Sequence, residues 1–417
     1  MELRIKTKCG IVEGIVKNSC VVFKGIPYAK AKRFEKAAPY AWNGVLACRE
    51  YGSQCPQADP TNGFYGKEFY TDPRYPLPRM SEDCLYLNIQ VPLNPKGKCP
   101  VALWIHGGAF DHGFGSEMEF DGAWYCQKNV ILVTINYRVG VFGFFAHPEM
   151  PSANLGLLDQ VAALQWVYEN IETFGGDPDN ITVFGQSAGA ISVQALVSSE
   201  CTGNMIAKAI MQSGGGLENG LCPEKSLAQA YEVSKKIMSL CGVSTLEEMK
   251  RLPCERLVEI LPQLWQETGE LPFGPIVDGE FLKEGLDDAV RRNHIKDIPY
   301  MLGATANDIM VGQNEDGKES PLFKGCLKFA MNRLSQGGKP TYLYYFKRRL
   351  PGDGAGAFHS SELWYMFGTL RRCWRPMELR DMTLSKVMIV AWTSFMRSGT
   401  PGYDAYEPVE RTIMEWE

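Results

Sequence analysis

The stretch "FGQSAGAIS", residues 184–192, sets a serine between two glycines at the exit of the apolar run Ile181, Thr182, Val183 and Phe184. A short β-branched run that meets Gly-x-Ser-x-Gly and continues in small and apolar residues predicts a strand, a tight turn and a helix. Gly185 and Gly189 stand two positions either side of Ser187, where a sharp strand-to-helix turn crowds the backbone and disfavours a Cβ. Ser187 would then stand clear of the strand end, with the free N–H groups of the following helix aimed at the same point.

The neighbouring sequence repeats this rhythm. Apolar runs at 86–91, 101–105, 130–135, 181–184 and 209–211 are separated by helix-like segments. In 155–174, Leu157, Leu158, Val161, Leu164, Val167 and Ile171 recur at helical spacing and mark one face of a helix. The alternation predicts the α/β class, with a mostly parallel central sheet flanked by helices. Residues 3–29, broken by Gly10, Gly14 and Gly25, predict small N-terminal antiparallel strands. From 217 to 271 helical patterns take over, including Thr245-x-x-Glu248 as a capping box, and predict a helical insertion over one end of the sheet. Strand-like runs return at 298–302 and 341–346, and 385–397 reads as a closing helix. One elaborated domain spanning 1–417 accommodates all of these.

Composition narrows the function classes. The chain has 417 residues, 45% hydrophobic and 22% charged, as an ordinary globular protein does. Its 43 Lys and Arg against 48 Asp and Glu give a net charge of −5 with no basic cluster, which argues against nucleic acid as a partner. No window approaches the ~18 apolar residues of a membrane span, and "MELRIKTKCG" lacks a signal-peptide core. A soluble, cytoplasmic protein is expected. The 13 cysteines are odd in number and never spaced C-x-x-C, so reduced thiols are expected and no metal site is indicated. "GQNEDGKES", 312–320, nearly spells a phosphate-binding loop, but Glu319 replaces the hydroxyl residue that would hold magnesium.

A serine hydroxyl is a weak nucleophile near neutral pH unless a base lies within hydrogen-bond reach. Gly-x-Ser-x-Gly between strand and helix resembles the nucleophile elbow of α/β-hydrolases, and that resemblance implies the chain order serine, acid, histidine. His106, His112 and His147 are thereby set aside, leaving His294 and His359. His294 sits in the charged string "RRNHIKD" and reads as a surface residue, whereas His359 lies on a glycine-rich loop in "GAFHSSELWYMFG". The acid must fix the imidazole tautomer and stabilise its cation. Asp308, in "YMLGATANDIM", falls in a loop just after a short strand, and Glu315 is the alternative. In "ALWIHGGAF", Gly107 and Gly108 would let backbone N–H groups approach a developing oxyanion, together with the N–H of Ala188.

Longer stretches carry a more specific resemblance. "FGGDPDNITVFGQSAG", 174–189, and "EDCLYLNIQVP", 82–92, resemble the two signatures of the type-B carboxylesterase and cholinesterase family of α/β-hydrolases. "FKGIPYAKAKRF", "HGGAF", "FGPIVDG" and "FHSSELWYMFG" follow in the same order. The resemblance implies the α/β-hydrolase fold, with Ser187 as nucleophile, His359 as base and Asp308 as acid. It also implies N–H donors from Gly108, Ala109 and Ala188, with Gly107 beside them. The implied activity is hydrolysis of uncharged carboxylic esters through an acyl-enzyme, with a small-molecule ester as partner and no cofactor. A carbohydrate acetyl or feruloyl esterase, or a non-catalytic cholinesterase-like binding protein, is the alternative. The chain departs from the pattern at Asp308, where most relatives use glutamate, at Gln186, where glutamate is frequent, and at Gln90, where an apolar residue is usual. The family commonly pairs cysteines that map to Cys55 and Cys84, whereas a reducing compartment favours free thiols. Residues 56–83 contain Phe64, Tyr65, Phe69, Tyr70 and Tyr75 but no tryptophan, which argues against choline esters.

Overall fold

The apolar runs assemble into one large sheet in a computed structural model that describes residues 3–312 and 316–417. Glu315 lies outside the described residues. Ten strands form the sheet among the described residues. In chain order they are β1 (Ile15–Lys17), β2 (Cys20–Pro27), β3 (Tyr86–Pro92), β4 (Cys99–Ile105) and β5 (Ile131–Ile135). They continue as β6 (Gly176–Gln186), β7 (Lys208–Gln212), β8 (Tyr300–Thr305), β9 (Thr341–Phe346) and β10 (Met414–Trp416). Their spatial order is β1-β2-β3-β5-β4-β6-β7-β8-β9-β10. Pairing is antiparallel from β1 through β3 to β5 and parallel from β5 to β10.

Helices cover both faces of the parallel part, so its strands are apolar on both faces instead of alternating. Every residue of β4, β5, β7, β8 and β9 is buried. The strand β6 runs between β4 and β7, with Phe184 opposite Trp104 and Ile210. It is longer than the apolar run alone indicates, because "GDPDN" leads into it past a register irregularity between Gly176 and Ile181.

The helix α1 (Leu155–Asn170) ends in a tighter turn, Ile171–Phe174, closed by Gly175 at φ 83°. On its inner face Asp159 is fully buried and accepts from Arg138, Nε to Oδ2 at 2.7 Å and Nη2 to Oδ1 at 2.8 Å. The helix α2 (Ala188–Ser198) follows β6 directly and is buried from Ala188 to Val197. Such all-round burial marks a helix enclosed by other elements.

At the N-terminus, Arg4–Lys6 and Ile11–Glu13 pair antiparallel, and Val45–Ala47 joins them parallel. The insertion contains α3 (Leu227–Cys241), α4 (Leu246–Arg251), α5 (Cys254–Glu259) and α6 (Leu261–Thr268). The Thr245 hydroxyl accepts from the Glu248 N–H at 3.2 Å and Glu248 Oε2 accepts from the Thr245 N–H at 3.0 Å, completing the capping box. One departure is a two-residue ladder, Lys225–Ser226 against Ile276–Val277, too short to show a period. The closing helix α7 begins at Leu379, before residue 385, because Glu378 and Asp381 cap it reciprocally.

All 13 cysteines are free, Cys55 and Cys84 among the buried ones. No helix among the described residues is long and apolar enough to cross a membrane.

Candidate active site

The end of β6 is strained in the way its glycines imply. Ser187 adopts φ 57° and ψ −127° between β6 and α2, a backbone region costly for a residue with a side chain. The turn is held by the Ser187 N–H donating to the Gln212 carbonyl at 2.8 Å and the Ala190 N–H donating to the Ser187 carbonyl at 2.9 Å. A Cβ on Gly189 would lie 2.1 Å from the Ile105 carbonyl oxygen, and one on Gly185 would lie 2.5 Å from the Gly189 backbone. Only glycine lets the elbow close on β4.

Asp308 and His359 lie 51 residues apart and are joined through their neighbours. Asn307 and Phe358 form a parallel bridge. The Asn307 N–H donates to the Ala357 carbonyl and the Ala357 N–H to Asn307 Oδ1, both at 2.9 Å. Gly356, at φ 75°, allows this contact, since a Cβ there would stand 2.1 Å from Asn307 Oδ1. The two loops are thus zipped together, and His359 Nδ1 hydrogen-bonds Asp308 Oδ1. The carboxylate also accepts from the Thr305 N–H at 3.0 Å and the Ile309 N–H at 2.9 Å.

Burial disfavours charge on both groups, and their mutual attraction outweighs it. His359 therefore titrates above its ordinary value and Asp308 below its own. Glu362 faces the same cluster, fully buried, with Oε1 accepting from Gln212 Nε2 at 3.2 Å. Burial first, and the Asp308 charge second, push its carboxyl up to about 7.

The second imidazole nitrogen, His359 Nε2, meets the Gln186 amide nitrogen at 3.0 Å rather than the Ser187 hydroxyl. An amide NH₂ can only donate, so Nε2 is an acceptor and the ring proton sits on Nδ1, facing Asp308. That is the tautomer a general base needs, with Nε2 occupied by the Gln186 amide.

Ser187, His359, Gly107, Gly108 and Ala109 line one cavity of about 240 Å³. Gly108, Ala109 and Phe110 have φ of 102°, 54° and 60°, so successive N–H groups can converge on an anion as a backbone nest does. Ala188 is the first residue of α2 and is buried; its N–H is among those a helix leaves unpaired. The remaining wall includes Tyr65, Phe69, Tyr70, Phe120, Ile309 and Leu363. The neighbouring Trp364, Tyr365 and Phe367 are fully buried in the core. His294 is a surface residue paired with Glu284.

Three features of the site carry no clear signal in the sequence: the Gln186 contact, Glu362, and Glu117 and Glu119, which line the same cavity. Gln186 shows only as a departure from the family pattern, Glu362 lies within "FHSSELWYMFG", and the acids of "SEMEF", 116–120, have no spacing that announces burial.

The sequence matches the carboxylesterase family over residues 1–324 and 320–416. It is 33% identical to a para-nitrobenzyl esterase of Bacillus subtilis, over 96% of this chain and 91% of that protein. It is 31% identical to a bile salt-activated lipase of Rattus norvegicus, over 95% of this chain and 77% of that one. Among solved structures, a PNB esterase superposes with a TM-score of 0.88 at 31% identity, covering 100% of this chain and 96% of its own. A Geobacillus stearothermophilus carboxylesterase gives 0.82 at 30% identity, covering 99% and 96%. The chain belongs to the carboxylesterase family and, as an α/β-hydrolase, is an enzyme of carboxylic ester hydrolysis.

Proposed function

We propose that Ser187 is the nucleophile, His359 the general base and Asp308 the acid that orients it, in a hydrolase of uncharged carboxylic esters. The observation that carries this reading is the Asp308–His359 hydrogen bond, which sets the imidazole in its base-competent tautomer on the wall that also presents Ser187. Substrate entry would displace the Gln186 amide from Nε2 and bring the serine hydroxyl onto it; catalytic hydrogen bonds commonly tighten only in the substrate complex.

Ser187 Oγ then attacks the ester carbonyl while His359 Nε2 takes its proton. The oxyanion is held by N–H groups of Gly108, Ala109 and Ala188, with Gly107 allowing close approach. His359 returns the proton to the leaving alcohol, then activates water to release the acid from the acyl-enzyme. Each step uses only side chains, backbone N–H groups and water. We also read residues 1–417 as one domain, supported by a large buried cluster whose members run from Ile5 to Tyr406. The 13 free cysteines support a cytoplasmic location.

The test is Ser187→Ala, assayed on nitrophenyl esters and by fluorophosphonate labelling. A loss on the order of a millionfold in kcat is expected, with no adduct at position 187 and an unchanged melting temperature. Retained turnover would overturn the assignment, and an inert wild-type Ser187 would favour the binding-protein alternative.

A further inference from the structure

Three buried carboxylates elsewhere in this fold are held by arginines. Glu68 accepts from Arg375 Nε at 3.0 and 3.1 Å and from the indoles of Trp364 and Trp374, both at 2.9 Å. Asp159 is held by Arg138 and Asp381 by Arg348. These acids stabilise the fold and have no capacity to spare.

Glu117 and Glu119 differ. They are 7% and 1% exposed, and both line the cavity that presents Ser187 and His359. Glu117 Oε1 accepts from the Phe114 N–H at 3.0 Å. Glu119 Oε2 has no hydrogen-bond partner among the described residues. The nearby guanidinium of Arg372 is committed to Asp121 and to the Met118 carbonyl. The Glu119 backbone is fixed from behind, its carbonyl accepting from Thr369 Oγ1 at 3.0 Å.

Burial drives both carboxyls toward their neutral forms, Glu117 to about 7 and Glu119 higher still, the charge of Glu117 adding to the second. A proton held between the two carboxyls, which repel one another when both are ionised, relieves that cost. It leaves one Glu119 oxygen as an acceptor without a donor, beside the apolar rings of Phe69 and Phe120 and beside Tyr70, whose hydroxyl meets Glu117. A buried acceptor lacking a donor is unfavourable until something supplies one. One proton on the pair leaves a single negative charge between the two carboxyls, and the free Glu119 oxygen can accept from a neutral hydroxyl.

We propose that Glu119, backed by Glu117, is a specificity site for uncharged esters that carry a free hydroxyl group, which donates to Glu119 while Ser187 attacks the ester carbonyl. This rests on Ser187 being the nucleophile and adds the class of substrate.

The test compares kcat/KM for matched esters. Hydroxyethyl butanoate against propyl butanoate places the hydroxyl in the alcohol, and ethyl hydroxybutanoate against ethyl butanoate places it in the acyl group. The wild-type enzyme should favour the hydroxylated member of at least one pair by about tenfold or more. Glu119→Leu should erase that preference. Glu119→Gln, which can donate to Glu117 and still present an oxygen, should keep it. Fluorophosphonate labelling of Ser187 in each variant reports that the site is folded. Equal rates within both pairs in the wild type, or a preference surviving in Glu119→Leu, would overturn the proposal. So would a stronger preference for dimethylaminoethyl butanoate, which would mark a cation site. The nucleophile is checked separately, because Ser187→Ala must abolish turnover of all members alike.

Discussion

Replacing Asp308 by Asn changes one atom in the buried cluster, and its consequences can be followed through the hydrogen bonds. Asp308 Oδ1 faces His359 Nδ1 and the Ile309 N–H, while Oδ2 faces the Thr305 N–H at 3.0 Å. All three partners donate, so an amide NH₂ must confront a donor at either position. Placed toward His359, it also forces the ring proton onto Nε2 and removes the proposed base. Wherever it sits, the imidazolium formed in the transition state loses its counter-charge. For unit charges ~4 Å apart at an effective dielectric constant of ~20 that loss is about 4 kcal/mol, or about a thousandfold in rate. The misplaced proton extends the expected fall in kcat/KM to about 10⁴-fold, similar to the effect of the equivalent change in serine proteases.

The pH profile supplies a second reading of the same variant. In the wild type, His359 as the proposed base must be neutral to act, and the neighbouring carboxylate raises its pKa against the effect of burial. Activity should therefore fall, as pH is lowered, through a value above the ordinary histidine pKa of ~6.5. Without the carboxylate charge burial dominates, so the residual activity of Asp308→Asn should show its acid limb below ~6.5. The assay is nitrophenyl butanoate hydrolysis from about pH 5 to about pH 10, with Glu315→Gln as the companion variant. A plateau within tenfold of wild type in Asp308→Asn, or the large loss appearing in Glu315→Gln instead, would refute the assignment of the acid.

Two further outcomes follow from packing. Gly356→Ala places a Cβ 2.1 Å from Asn307 Oδ1 at φ 75° and should pry apart the loops that carry Asp308 and His359. We expect about 1–3 kcal/mol of destabilisation and a lower kcat with KM less affected, read by urea denaturation and steady-state kinetics. Glu68→Ala leaves Arg375 and two indoles without their acceptor. It should lower stability by about 3–5 kcal/mol, visible as a shifted urea midpoint with an unchanged slope.

Much of the sheet was legible because buried parallel strands must be apolar on both faces, a pattern that composition alone displays. The run 341–346 coincides with Thr341–Phe346, and the elbow follows from two glycines and a serine at fixed spacing. Gln212, which receives the Ser187 N–H and donates to Glu362, has no local pattern to announce it. The same holds for the Lys225–Ser226 ladder and for the polar beginning of β6.

The sequence by itself determined the α/β class, the elbow at Ser187 and the family resemblance, because these rest on periodicity and on steric demands between near neighbours in the chain. Only the tertiary structure decided that the Asn307–Phe358 bridge sets Asp308 against His359, that Gln186 occupies the imidazole nitrogen, and that Glu117 and Glu119 are buried in the cavity wall. The reason is that hydrogen bonding, desolvation and charge coupling depend on distance in space, which residues far apart in the chain acquire only when the sheet closes around them.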